Sequence, residues 1–168
     1  MSPAELLKDA FGRIVEGGTA VVDGLTEDQL THRVDPGANT IAWLVWHLTR
    51  VQDDHVAEVA GQEQVWTSQG YAERFGLPFD TSATGYGQSA EEVGQVRVDG
   101  TLLADYLRAT HAATLDYLDR VGEADLDRVV DERWDPPVTL GVRLVSVIGD
   151  DMQHLGQASF IRGVVERG

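Results

Sequence analysis

Two side chains near the C-terminal end of the chain have the types and spacing needed to bind a metal ion. Asp150 and His154 are four residues apart in the segment 149–157. On an α-helix this spacing places both side chains on one face, one turn apart. A carboxylate and an imidazole arranged in this way offer two ligands to a divalent ion. A third ligand must come from another element, and His47 is the best candidate.

Two histidines and one carboxylate would leave a divalent ion with open coordination positions. Open positions are typical of catalytic sites, because structural sites are usually closed by four protein ligands. The alternative is that Asp150 and His154 form an exposed pair and that His47 is a hydrogen-bonded core histidine. Asp151 competes with Asp150 for the carboxylate role, since it lies about 60° from His154 around the helix, on the other side.

The rest of the last helix favours the metal site. Arg143 and Gln157 lie on roughly the same face as Asp150 and His154, at about 100° per residue. A charged row on a face that meets other helices is unfavourable unless its charges are paired or bind a metal. His111, in contrast, has no carboxylate or histidine at ligand spacing and is interpreted as an ordinary helix histidine.

The composition indicates a globular protein that forms one domain, residues 1–168. The chain has 168 residues, of which 42% are hydrophobic. A formal net charge of −15 argues against nucleic acid and anionic membranes as partners. There are no cysteines, so any thiol chemistry would need a thiol from outside. The polar N-terminal residues do not resemble a signal peptide, and we expect the cytoplasm.

Apolar residues recur at helical spacing in four long segments, which predicts an all-α fold, a four-helix bundle. Asn39 and Thr139 are the expected N-caps of the second and fourth helices. A glycine-rich segment, 61–100, predicts an irregular excursion between the second and third helices, of the kind that often lines a pocket. Metal sites in such bundles are built from facing helices. The predicted helices cover residues 3–23, 39–60, 101–121 and 139–165.

The sequence also bears on assembly. Trp46 points away from the face that carries His47, and we expect it to leave apolar surface outside a single bundle together with Phe11 and Val22. Exposed apolar surface of this kind is typical of an interface between copies, which predicts a homodimer.

Two segments, Trp43–Leu48 on the second helix and Asp151–Gln157 on the fourth, resemble the DinB/YfiT-like superfamily of metal-binding four-helix bundles. The resemblance covers almost the whole chain. Four further segments are similar to an actinobacterial branch of that superfamily, which includes mycothiol S-transferases. These segments are Asp35–Ile41, Gly85–Gly87, Trp134–Leu144 and Ile161–Gly163.

The resemblance implies a ligand set. Members commonly place one histidine on the second helix and a His-x-x-x-His pair on the fourth, ahead of Gly-Gln. His47 and His154 match this pattern, and Asp150 stands where the first histidine of the pair is often found. The carboxylate makes the site harder and more negative than the usual one. We expect zinc, with Ni²⁺, Fe²⁺ and Mn²⁺ as alternatives.

The function implied by the resemblance is a metal-dependent S-transferase that uses a low-molecular-weight thiol such as mycothiol. The metal would lower the pKa of the thiol, and the thiolate would attack a small electrophile. No catalytic residue beyond the metal centre is expected. The substrate-binding candidates are Arg143, Arg50, Trp43 and Tyr86, and the candidates to support the ligands are Gln157 and Asp54.

The sequence is also compatible with other roles for the two arginines and with other functions. The two arginines would otherwise form structural ion pairs with Asp53, Asp54 or Asp151. The protein would otherwise be a non-catalytic metal- or ligand-binding stress protein, or a thiol-dependent isomerase or hydrolase. Hydrolysis is disfavoured, because Asp54 lies about two helical turns, roughly 10 Å, from His47 and no other base is obvious.

Overall fold

The computed structural model describes residues 1–167 and confirms the all-α four-helix bundle. The helices are α1 (Pro3–Val22), α2 (Glu27–Leu30), α3 (Ile41–Ala60), α4 (Val65–Ser68), α5 (Tyr71–Phe75), α6 (Ala90–Val93), α7 (Gly100–Leu118) and α8 (Leu140–Val165). A 3₁₀-helix (Glu123–Asp127) and a small antiparallel hairpin, β1 (Val129–Asp131) and β2 (Val138–Thr139), lie between α7 and α8. No helix among the described residues combines the length and apolar character needed to cross a membrane.

The four long helices form a ring in which α1 and α3 each pack against both α7 and α8. The core is filled by one apolar stripe from each helix, with fully buried side chains such as Phe11, Leu44, Leu107 and Leu144. The most extensive helix pair is α3 with α8. The two helices that carry the predicted metal ligands therefore lie side by side.

Glycines on α1 allow close packing of two neighbouring helices. A Cβ on Gly17 would lie 2.8 Å from Leu155 Cδ2 of α8, and a Cβ on Gly18 would overlap the side chain of Leu107 on α7. Both positions lie inside α1, which continues through them. Their intrinsic cost to the helix is thus offset by the approach that they permit.

Helix ends follow local capping rules, with two differences from the prediction. Thr139 caps α8 as predicted, its hydroxyl accepting from Val142 N at 3.4 Å. The cap of α3 is Thr40 rather than Asn39, because the Thr40 hydroxyl accepts from Trp43 N at 3.1 Å. Helix α7 ends at Leu118, three residues before the predicted end.

The hairpin was not predicted from the sequence. Its strands have three and two residues, too short for an alternating pattern to be recognised. Asp131, at the end of β1, forms ion pairs with Arg133 in the hairpin loop and with Arg143 on α8. Contacts to a helix thus stabilise a hairpin that would be marginal alone.

The basis for the predicted homodimer is wrong, because Phe11, Val22 and Trp46 are all buried within the single chain. The chain's own helices cover them, and periodicity alone did not place Trp46 in that interior. The exposed apolar side chains of α8 include Val145, Met152 and Phe160 instead. The homodimer stays a prediction without the observation that first suggested it.

Candidate metal centre

His47 is buried on the side of α3 that faces α8, next to the ring of His154. It is 5% exposed, and its Nδ1 lies 2.5 Å from the carbonyl oxygen of Thr84. A carbonyl only accepts, so Nδ1 carries the proton and Nε2 keeps its lone pair. Burial lowers the pKa of His47, against the opposing effect of the bond to Thr84. The ring is therefore neutral near pH 7, in the tautomer that a metal ligand needs.

Asp150 and His154 provide the other two side chains from consecutive turns of α8. His154 Nδ1 lies 2.8 Å from the backbone oxygen of Asp150 and 3.2 Å from its Oδ2. The hydrogen bond with Asp150 raises the pKa of His154, and the bond with His154 lowers the pKa of Asp150. Without a metal, the two side chains thus form an ion pair on the helix when His154 is protonated.

The three side chains converge in space. One ligand atom from each of His47, Asp150 and His154 lies within 4.8 Å of the others, and the imidazole centroids are 4.6 Å apart. Ligand atoms about 2.0–2.2 Å from a tetrahedral zinc ion lie about 3.4 Å from one another. Side-chain movements of roughly 1 Å would bring these three ligand atoms to that spacing. The donor set therefore fits one divalent ion with at least one open position.

Solvent reaches the ligands from the side of α8. The side chain of Asp150 is 38% exposed and that of His154 is 17% exposed. The opposite side is closed by Trp43, whose ring stacks on His47 at 4.5 Å with an angle of 13° between the planes, and meets the His154 ring at 6.2 Å. The arrangement is accessible on one side and apolar on the other, as expected of a site that admits a small molecule.

The loop Thr84–Gln88 covers the His47–Trp43 stack. In addition to the Thr84 bond, Gln88 Oε1 accepts from the indole Nε1 of Trp43 at 2.7 Å. Gly85 between them has φ of +100°, and a Cβ there would lie 2.7 Å from His47 Nδ1. Sequence reasoning missed Thr84, and the only local signal was the pair of glycines flanking Tyr86.

We expect Gly85→Ala to weaken metal binding although Gly85 supplies no ligand. The added methyl collides with the His47 ring and requires a backbone conformation that alanine adopts only with strain. Isothermal titration with Zn²⁺ should show at least about tenfold weaker binding, since a shift of roughly 1 Å spoils ligation. Gly87→Ala is the matched control, because φ is +75° there but nothing lies within 4 Å of its Cβ. Equal losses in both variants would contradict this role for Gly85.

Asp151, the rival carboxylate, is placed elsewhere. It is fully buried on the core-facing stripe of α8, between Val147 and Leu155. Burial raises its pKa well above the ordinary range, and Asp150 adds to that effect. Among the described residues neither of its oxygens has a hydrogen-bond partner. The structure thus groups Asp150, not Asp151, with the two histidines.

Arg50 lies in the interior rather than in a substrate pocket. It has no exposed surface, and its guanidinium donates to Ala83 O at 3.0 Å and to Gln64 Oε1 at 2.7 Å. Its ion pair is with Asp53 at 3.9 Å, which agrees with the structural alternative. Because Ala83 precedes Thr84, Arg50 helps to position the loop that holds His47. The prediction that Arg50 contacts substrate is not supported, because the Arg50 side chain has no exposed surface.

The other three predicted substrate residues lie in three different places. Trp43 packs against both imidazoles, and Arg143 lines a groove further along α8. Tyr86 is 93% exposed at the tip of its loop and does not wall the site in this conformation. The glycines on either side, both with positive φ, turn it outward.

Neither predicted supporting residue makes a hydrogen bond to a candidate ligand within residues 1–167. Asp54 Oδ1 accepts from Gln64 Nε2 at 2.7 Å, and Gln157 lines a separate groove with Asn39 and Phe160. Backbone oxygens of Thr84 and Asp150 hold the two imidazoles instead. Residue types could not predict these contacts, because every residue has a backbone carbonyl.

Comparisons with known proteins agree with this description. A family model described as the DinB superfamily matches residues 19–158. A crystal structure titled as the conserved protein of a locus from Enterococcus faecalis is 32% identical, with a TM-score of 0.92, covering 100% of this chain and 99% of the other. No curated protein matches. The family model covers most of the chain, and it shows that this chain belongs to the DinB superfamily.

Proposed function

We propose that the protein is a metal-dependent S-transferase that conjugates a low-molecular-weight thiol, such as mycothiol, to a small electrophile. The observation that carries the proposal is the donor set of His47, Asp150 and His154, which fits a divalent ion and is reached by solvent from one side. A zinc ion held there would supply Lewis acidity, lowering the pKa of a thiol placed beside it.

The protein groups around the site prepare it for a thiol rather than supply a nucleophile. The chain has no cysteine, so the sulfur must come from the substrate. Thr84 O holds the Nδ1 proton of His47 and thereby presents Nε2 to the site. Trp43 excludes water from one side of the histidine pair. The sulfur forms the new bond to carbon, the leaving group departs with its electron pair, and the thiol proton passes to solvent.

Hydrolysis is less well supported. A hydrolase needs a base within hydrogen-bond reach of the attacking water. Asp54, the nearest carboxylate considered from the sequence, is hydrogen-bonded to Gln64. Asp151 is buried in the helix core. Transfer of an external thiol requires no such base once the thiol is ionised.

The test is to load the protein with Zn²⁺, Ni²⁺, Fe²⁺ or Mn²⁺ and incubate it with monochlorobimane and one of four thiols. The thiols are mycothiol, glutathione, coenzyme A and cysteine. We expect fluorescent conjugate with at least one thiol at a rate that His154→Ala abolishes. Arg13→Gln, an exposed change on α1, is the control and should leave the rate unchanged. A blank with every thiol and metal would favour the non-catalytic binding protein.

A further inference from the structure

A groove separate from the metal centre lies along the same two helices, α3 and α8. It has a volume of about 420 Å³ and is lined by His55 of α3, Arg143 of α8 and three hairpin residues, Asp131, Arg133 and Trp134. Arg143 and Asp150 are seven residues apart, about 10 Å along α8, and nearly on the same face. His55 lies about 12 Å along α3 from His47. The groove thus lies about 10–12 Å along the helices from the candidate metal ligands, a distance that one small molecule can span.

The lining of this groove has more positive than negative charge. Asp131 is the one carboxylate in it, and two guanidiniums share that carboxylate. Arg133 Nε and Nη2 each lie 2.8 Å from it, and Arg143 Nη2 lies 3.0 Å from Oδ2. These hydrogen bonds hold the pKa of Asp131 well below its usual range, and the bonds from Arg133 have the largest effect. One positive charge remains, in a protein whose formal net charge is −15.

Donor groups remain available for a ligand. Arg143 and Arg133 bond Asp131 without using their Nη1 atoms, which have no hydrogen-bond partner within residues 1–167. Arg133 is 79% exposed, so its free donors point to solvent. Trp134 is 65% exposed beside it, which leaves an aromatic face uncovered. Guanidinium pairs with an adjacent aromatic ring are suited to a flat acid or a phosphate ester.

Three acidic residues near the groove are not among the residues that line it. Asp54, Glu58 and Asp150 all act electrostatically on His55. Asp54 accepts a hydrogen bond from the amide of Gln64, which does not neutralise a carboxylate, and Asp150 belongs to the candidate metal centre, where a divalent ion would offset its charge. Glu58 is exposed on α3 and also acts electrostatically on Arg133. The charged groups that line the groove itself are Arg133, Arg143 and Asp131.

We propose that this groove, formed by Arg133, Trp134 and Arg143, binds the oxyanion of the substrate, a carboxylate or a phosphate, while the reacting sulfur lies at the metal centre. The assignment of that oxyanion to the thiol rests on the proposed function. It defines the substrate as an elongated thiol with an acidic group about 10 Å from its sulfur, which among the four test thiols excludes mycothiol, because mycothiol carries no carboxylate or phosphate. Binding of an acid in the groove is independent of any reaction.

The test therefore measures binding rather than turnover. The metal-loaded protein is titrated with phenylacetate, with its uncharged match phenylacetamide, and separately with inorganic phosphate. The indole N–H resonance of Trp134, assigned with Trp134→Phe, reports occupancy by NMR. We expect saturable shifts with phenylacetate and binding of the amide that is about tenfold weaker, because a charge-assisted hydrogen bond is lost. Tighter binding of phosphate would identify a phosphate-bearing substrate.

Variants separate an anion site from a purely structural ion pair. Arg133→Gln leaves the bond between Arg143 and Asp131 in place and should weaken phenylacetate binding about tenfold without lowering the melting temperature. Arg143→Gln should also weaken phenylacetate binding, but it removes the contact between α8 and the hairpin, so circular dichroism checks that it folds and measures its lower melting temperature. Arg13→Gln on α1 is the control. Equal binding of acid and amide, or unchanged binding in Arg133→Gln, would overturn the proposal, whereas a blank in the conjugation assay alone would not.

Discussion

His154→Ala and Asp150→Ala should each lose bound divalent metal, whereas Asp151→Ala should retain most of it. The reason is geometric, since Asp150 and His154 converge with His47 within 4.8 Å while Asp151 lies on the core side of α8. Removing one of three ligands typically weakens binding by well over the 10–100-fold cost of losing a supporting contact. Metal content after reconstitution and isothermal titration measure the effect. Loss with Asp151→Ala but not with Asp150→Ala would reverse the carboxylate assignment.

The same titration carries a prediction about pH. Asp150 raises the pKa of His154 above its ordinary value of 6.5. A proton on His154 competes with the metal, so affinity should begin to fall above pH 6.5 as the solution is acidified, and binding near that pH should release a proton. The lowered pKa of His47 means that it contributes only at more acidic pH. Affinity that is constant down to pH 5 would show that His154 is not a ligand.

Asp53→Ala should produce the largest loss of stability among single changes near the site. Asp53 is buried on α3 and accepts from Val65 N at 2.9 Å, from Trp66 N at 2.7 Å and from the Tyr106 hydroxyl at 2.7 Å. It therefore caps α4, because the side chain of the N-cap residue, Gln64, makes no capping hydrogen bond to the helix. Removing it also leaves the buried guanidinium of Arg50 without its carboxylate, 3.9 Å away.

We expect Asp53→Ala to lower the free energy of unfolding by about 3–5 kcal/mol, the usual cost of removing one partner of a buried ion pair. Urea denaturation followed by circular dichroism should show a lower midpoint with a similar slope. Asp54→Ala is the matched control next to it. Asp54 is half-exposed, accepts one hydrogen bond, from Gln64, within residues 1–167, and lies 4.0 Å from His55 Nδ1, so its removal should cost less than about 1 kcal/mol. Similar losses for the two variants would contradict the capping role of Asp53.

The ligand pair on α8 could be predicted because helix geometry is local. Residues four apart share a face in any α-helix, so Asp150 and His154 are neighbours wherever the helix lies. The cap at Thr139 and the apolar stripes of the four long helices follow from equally local rules. These suffice for the all-α bundle, since four amphipathic helices joined by breakers have few ways to bury their stripes.

Burial could not be predicted from helix periodicity alone. Arg50 and Arg143 looked equivalent, each on the face that carries a ligand. Packing against the 61–100 segment buries Arg50 completely, while Arg143 borders an open groove. Asp151 and Asp150 are likewise adjacent in sequence but lie on opposite sides of the boundary between core and site. A helix wheel gives the angle of a side chain but not what covers it.

The sequence by itself determined the helical fold and the two candidate histidine ligands with a carboxylate on α8, whereas only the tertiary structure separated Asp150 from Asp151 and decided how the imidazoles are held. His47 takes its tautomer from the backbone of Thr84, 37 residues further along the chain. That contact depends on Gly85, where only a glycine leaves room for the imidazole. Local rules describe residues within about one helical turn of each other, but a loop that folds back over a helix is placed by packing that involves the whole chain.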